Sequence, residues 1–422
     1  MEKLYNERFN ETYYKEVLDN GLTVFVFYKP DFISSVCAFG TPYGALHINQ
    51  LYEGKEYHFH PGIAHFLEHK LFETDDKDIM NDFSKIGANV NAFTSYEETV
   101  YYFTTNNDIE EPLNMLLDFV QNFSITKESV EKEKGIIAEE VSMYMQNPSS
   151  MLLNETYKAL YKNYPLNNDI GGTKESVYAI TKEELEECYR INYHPSNMAL
   201  VISSNRPPEE IIEMVKKNQK KKNFSNKERP VINNLKEPFE VNDKERNYYM
   251  DVSCDKHIVA YKMIPDFKNE EEAYYKQTAL SLLLEACFST NNPLFQKWLD
   301  EGKINDYFGY EIEFSCNNKH VLFFNESDDD TVLDEIIKEG LNTNNINEEL
   351  LEELKRKYIG IAFSNINQIE FFALDFIKDY LEGMNYYQET ETIRNIKLED
   401  VEKSIEFVDN SSISHINIRK NK

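Results

Sequence analysis

The spacing of apolar residues along this 422-residue chain alternates between two periods. A period of two marks residues 13 to 46 as strand-rich. Leu22-Thr23-Val24-Phe25-Val26-Phe27 follows an Asn20-Gly21 turn and predicts a hairpin arm, and Ser35 to Ala45 continues as a strand punctuated by glycines. Residues 47 to 60 are polar and read as a loop, with His58 and His60 as solvated side chains. From Pro61 the period becomes helical: Ile63, Phe66, Leu67 and Leu71 fall on one side of a helix over Pro61 to Glu73. Asp75 to Ile86 reads as a short helix closed by Gly87. Ala88 to Ser95 and Thr99 to Thr104 alternate as strands. Helices are expected at about 109–122, 127–146, 149–162 and 181–192, a strand at Met198–Ile202 and a helix from Pro208 to about Lys220.

The stretch from 216 to 238 is lysine-rich and carries Pro230 and Pro238, the composition of a linker. It divides the chain into an N-terminal domain, 1–220, a linker, 221–245, and a C-terminal domain, 246–422. The second half repeats the order of the first: strands near 247–253 and 258–263, helices near 269–288 and 293–300, strands near 307–326, then long helices and a short strand at Ile416–Ile418. The expected class is α+β, with two similar domains, each an antiparallel-rich sheet packed with helices. The repeat lies in the element order, not in the residues.

Composition narrows the function. A hydrophobic fraction of 41% with 13% aromatics belongs to a globular chain, and a net charge of −29 argues against nucleic acid or an anionic membrane as partner. No apolar run is long enough to span a bilayer, and no apolar core of a signal peptide follows the first residues. The five cysteines are scattered and odd in number, as in reduced core thiols of a cytoplasmic protein.

Within the helix at 61–73, His65 and His69 are four residues apart and project from one face, about one turn from each other. That spacing lets two neutral imidazoles hold one Zn²⁺, and Glu68 lies close enough to reach a metal-bound water. This is the H-x-x-E-H pattern. Zinc needs a third protein ligand. In the helix 127–146, Glu133, Ile136, Ile137, Glu140 and Tyr144 share a face, whereas Glu139 points about 120° away. Glu140 is the expected third ligand, and Glu133, two turns earlier, the carboxylate that orients a ligand histidine or the site water.

These residues resemble the pitrilysin/insulinase (M16) zinc peptidases, the inverzincins. The resemblance extends to Gly87-Ala88-Asn89-Val90-Asn91-Ala92-Phe93-Thr94-Ser95, similar to the family's substrate-edge strand, and to Glu133-Lys134-Gly135-Ile136-Ile137-Ala138-Glu139-Glu140-Val141, similar to its third-ligand helix. Tyr193-His194-Pro195-Ser196-Asn197-Met198 and Asn292-Pro293-Leu294-Phe295 are similar to later family signatures. It implies zinc on His65, His69 and Glu140, Glu68 as general base, Glu133 behind the ligands, and Asn91, Ala92 and Phe93 on the strand that receives a peptide. It also implies half of a clamshell peptidase: a zinc endopeptidase subunit acting on short unfolded peptides or a peptide precursor, paired as a homodimer or with a zinc-less M16 paralogue. A non-catalytic structural or binding subunit is the alternative. The chain departs from the family in its second half. There the arginines from Arg246 onward (Arg246, Arg356, Arg394, Arg419) match no segment of the usual substrate-clamping Arg/Tyr pair.

Overall fold

The computed structural model describes residues 1–74, 77–224, 229–342 and 346–421. The start of the helix expected at Asp75 and part of the linker, 225–228, lie outside the described residues.

Two compact units form, and they do not follow the chain linearly. The first comprises Met1–Ser142, Asn168–Asn234 and Phe363–Tyr387, the second Met143–Asn167, Leu235–Ala362 and Gln388–Lys422. A division at 220 and 246 follows chain order, whereas packing moves one helix from each half into the other unit.

The first unit is built on a seven-stranded sheet. Its order is Glu2–Asn6, Glu11–Val17, Thr23–Tyr28, Ala199–Ser204, Ser35–Thr41, Thr99–Thr105, Ala88–Thr94. Only Ala199–Ser204 against Thr23–Tyr28 runs parallel. Alternation then sorts the side chains. Val24, Val26, Cys37, Phe39, Tyr101 and Phe103 face the helices that carry Phe66, Leu67, Leu117 and Ile137. Phe25, Phe27, Val36, Ala38 and Val100 face the other way, onto Phe372, Phe376 and Ile377 of the helix Ile369–Leu381. Both faces are therefore dry, which explains the near-continuous apolar run of Thr23–Tyr28.

The second unit repeats the plan with five strands: Glu245–Met250, Ser412–Lys420, Lys256–Lys262, Lys319–Glu326, Gly309–Phe314. Its first pair is again parallel. One face packs Val259, Tyr261, Val321 and Phe323 against Leu280, Leu283 and Leu284 of the helix Glu270–Phe288. The helix Pro148–Leu160, from the first half of the chain, packs on Ser412–Lys420 and Lys256–Lys262.

One expected loop is structured. Residues 47–60 hold the strands Asn49–Tyr52 and Lys55–His58, paired through a two-residue turn at Glu53 and Gly54, both at positive φ (49° and 75°). Val231–Ile232 adds a third strand. The hairpin's polar, half-exposed side chains hide the alternation by which strands are recognised, and the Glu-Gly pair is the local signal that marks the turn.

Candidate metal centre

The motif helix spans Ile63–Phe72. Gly62 precedes it at φ 92°, and a Cβ there would sit 2.5 Å from the Gly171 carbonyl oxygen. Gly172, at φ 77°, likewise backs onto the Pro61 carbonyl, 2.4 Å from where its own Cβ would be. Glycines are required at this crossing, which brings the 169–172 loop against the start of the helix. Ile63, Ala64, Phe66, Leu67 and Leu71 are buried, so His65, Glu68 and His69 are turned to the less buried side.

The helix Lys127–Gln146 supplies the carboxylates. Glu140 Oε2 lies 3.4 Å from His69 Nε2 and 3.9 Å from His65 Nε2. One ligand atom from each of His65, His69 and Glu140 falls within 4.8 Å of the others. Ligands about 2.1 Å from a tetrahedral zinc stand about 3.4 Å apart, so the three fit one ion with small adjustment. Glu133, 6% exposed, accepts from His69 Nδ1 at 3.0 Å through Oε1. That bond fixes the tautomer that leaves Nε2 free to ligate. Ile136 and Tyr144, expected on the apolar face with Glu140, are instead exposed. The buried stripe runs through Val130, Glu133, Lys134, Ile137, Ala138 and Val141, and Glu140 sits on its border.

Electrostatics suit a cation. Burial, reinforced by neighbouring His69, pushes the His65 imidazolium down to about 3, so this ring is neutral and able to ligate. At His69 burial pulls the same way, but the Glu133 hydrogen bond and the carboxylates of Glu68 and Glu140 outweigh it and raise the pKa. Burial pushes the Glu68 carboxyl up, against the Thr94 hydroxyl that donates to its Oε2 at 2.6 Å. Thr94 was not among the expected site residues. Nothing local in the sequence points to it, because its contact crosses from the strand to the helix.

Asn91, Ala92 and Phe93 lie on Ala88–Thr94, the strand at the sheet's edge among the described residues. His58 and His60 stand apart from the cluster: both are exposed, one bonded to Asn49, the other to Glu184. Arg246 is held by Asp243 and Glu155, and Arg419 by Asp330.

The model of the insulinase family, peptidase family M16, matches residues 51–174, which include all three cluster residues, and that of the M16 inactive domain matches 179–358. A zinc protease of Bacillus subtilis (strain 168), YmfH, is 36% identical over 404 residues, 95% of this chain and 94% of the relative. The chain belongs to peptidase family M16. An M16-like peptidase from Alicyclobacillus acidocaldarius shares its fold at a TM-score of 0.90 and 31% identity, covering 97% of this chain and 98% of that one. The first half of the periplasmic protease PqqL from Escherichia coli matches at a TM-score of 0.73 and 17% identity, over 100% of this chain and 94% of that one. Against full-length PqqL the match covers 48% of that chain. This M16 chain thus corresponds to one half of a larger clamshell-type protease. Among the described residues no helix is long and apolar enough to cross a membrane.

Proposed function

We propose that this M16 chain is the zinc-bearing subunit of an endopeptidase that hydrolyses short unfolded peptides or a peptide precursor. The observation that carries the reading is the convergence of His65, His69 and Glu140 within 4.8 Å, beside a half-buried Glu68. Zinc held by His65, His69 and Glu140 would supply an acidified water and polarise the scissile carbonyl. Glu68 would act as the general base toward that water and pass a proton to the leaving amine. Its raised pKa brings the carboxylate closer to the working pH of a general base, and Thr94 fixes its orientation. Glu133 holds the His69 ring in place.

The edge strand Ala88–Thr94 is the proposed peptide platform, with Asn91, Ala92 and Phe93 at its centre. Ser95 N–H donates to the Glu98 carbonyl, so by antiparallel alternation the backbone groups of Ala88, Val90, Ala92 and Thr94 point to the open edge. In agreement, the Ala92 N–H is taken by the Asn91 side-chain oxygen at 2.9 Å. A peptide added as a further strand replaces that contact and is read by its backbone, which makes specificity loose.

A chain equivalent to half of a clamshell needs a second chain to complete it, a copy of itself or a zinc-less M16 paralogue that brings the clamping side chains. The five unpaired cysteines support a reducing, cytoplasmic setting.

The test is zinc content and cleavage of a quenched fluorescent peptide by wild type and Glu68→Gln, alone and with any co-purifying chain. About one zinc per chain, with cleavage by wild type and none by the mutant, is expected. Zinc binding without cleavage in either setting would favour the non-catalytic subunit. No zinc would overturn the ligand assignment.

A further inference from the structure

Lys70 follows the ligand His69 directly and is only 1% exposed. Burying an ammonium costs several kcal/mol unless it is paired. Its partners here are two carboxylates and a carbonyl. Nζ donates to Glu73 and, at 3.4 Å, to the Ser129 carbonyl, and it lies 4.0 Å from Glu133 Oε2. The other oxygen of Glu133 accepts from His69 Nδ1. One carboxylate therefore stands between a candidate metal ligand and a buried cation, with an oxygen turned to each. Glu73 is a less constrained partner, 30% exposed, and it also pairs with Lys132 at 3.1 Å.

We propose that Lys70 is a positioning residue for the metal centre: its buried charge fixes the Glu133 carboxylate, and through it the His69 ring, in the orientation that binds zinc. The inference rests on the zinc reading. Without Lys70, the only other lysine interacting with Glu133 among the described residues is the exposed Lys132, and the cheapest relief is for the carboxylate to turn away from His69 toward solvent. That turn removes the acceptor that orients a ligand histidine, and loss of such an acceptor typically weakens a metal site 10–100-fold.

Zinc affinity of the apo chain, measured by competition with a chromophoric chelator, tests this apart from turnover. Lys70→Met is expected to weaken zinc about 10–100-fold, and Glu133→Gln by a similar factor. If Lys70 acts through Glu133, the double mutant is no more than about threefold weaker than the worse single mutant. Factors that multiply in the double mutant, or a Lys70→Met chain that binds zinc as wild type does, would overturn the proposal.

Lys70→Gln, which keeps a polar side chain but removes the charge, decides the matter if Lys70→Met does not fold. It leaves both Glu73 and Glu133 in place, and zinc affinity is expected to fall about tenfold or more. A folded Lys70→Gln chain that binds zinc within about threefold of wild type would overturn the proposal. Failure of the wild type itself to bind zinc would instead sink the metal centre as a whole.

Discussion

The two units run the same strand plan and diverge in the helix that follows the second strand of that plan. In the second unit the helix Glu270–Phe288 fills its contact with the sheet with Ala279, Leu280, Leu283, Leu284 and Cys287, all buried. In the first unit the shorter Ile63–Phe72 keeps an apolar side of the same kind but turns His65, Glu68 and His69 away from it. The edge strand beside it ends in Thr94, which bonds the glutamate, whereas Gly309–Phe314 of the second sheet ends in the buried Phe314. The shared fold thus supplies a location, and the candidate site comes from three polar residues on the side of one helix that is turned away from the core. The second unit is matched in large part by the inactive-domain model, in keeping with this contrast.

The sharpest way to break the contrast is to remove the base. Glu68→Gln should lower peptide cleavage by about 10³-fold or more while zinc stays bound, whereas Glu285→Gln, on the corresponding helix of the second unit, should leave cleavage within about threefold. Turnover of a fluorescent peptide and metal analysis read both arms.

A second test compares the covering helices. Phe372 is fully buried and stacks edge-on against Phe27 at 4.7 Å, and Leu152 is fully buried on the helix that covers the second sheet. Phe372→Ala should cost about 3–5 kcal/mol and Leu152→Ala about 2–4 kcal/mol in urea unfolding. Equal losses smaller than 1 kcal/mol would show that the covering helices are not part of each unit's core.

A third test uses pH. In the first unit Glu382 closes the covering helix Ile369–Leu381 near Glu98, which is 1% exposed. Burial, then the charges of Glu98, Glu97 and Asp379, push the Glu382 carboxyl up to about 8, against the opposing pull of Lys378. Its pKa is higher folded than unfolded, so its protonated form stabilises the chain fully below the ordinary carboxyl range, and that contribution is lost as pH rises through about 8. Glu382 is itself exposed to solvent, so screening trims the effect: Glu382→Gln should gain about 1 kcal/mol over wild type at pH 9 relative to pH 5. A mutant whose advantage is flat with pH would remove the charge argument.

The smallest effect sharpens the picture of the base. Thr94→Val should lose the hydrogen bond to Glu68 at about 1 kcal/mol, roughly a fivefold drop in kcat, with zinc content unchanged. A drop as large as that of Glu68→Gln would mean that Thr94 does more than orient.

The grouping of His65, His69 and Glu140 was legible because helical spacing is local: His65 and His69 share a face at any tertiary arrangement, and Glu133 and Glu140 are two turns apart on another helix. The strand plan was legible as an order of elements. Three things were not. The 49–58 hairpin was hidden because its strands are polar and carry little apolar alternation. The surroundings of Lys70 carry no local signal, because Glu133 reaches it from another helix. The placement of Pro148–Leu160 and Ile369–Leu381 depends on contacts across hundreds of residues, for which amphipathic spacing gives no partner.

That exchange of helices governs how the chain must be made. The sheet that bears the metal motif is complete in sequence by Ser204 and the unit's early segments by Asn234, yet Phe25, Phe27, Val36 and Ala38 stay uncovered until Phe363–Tyr387 has been synthesised. At ~5–20 residues per second the nascent unit waits on the order of ten seconds with an aromatic sheet face open to solvent. A chaperone that captures this protein on the ribosome should do so during that interval, and a chain truncated before residue 363 should aggregate instead of yielding a smaller zinc-binding domain.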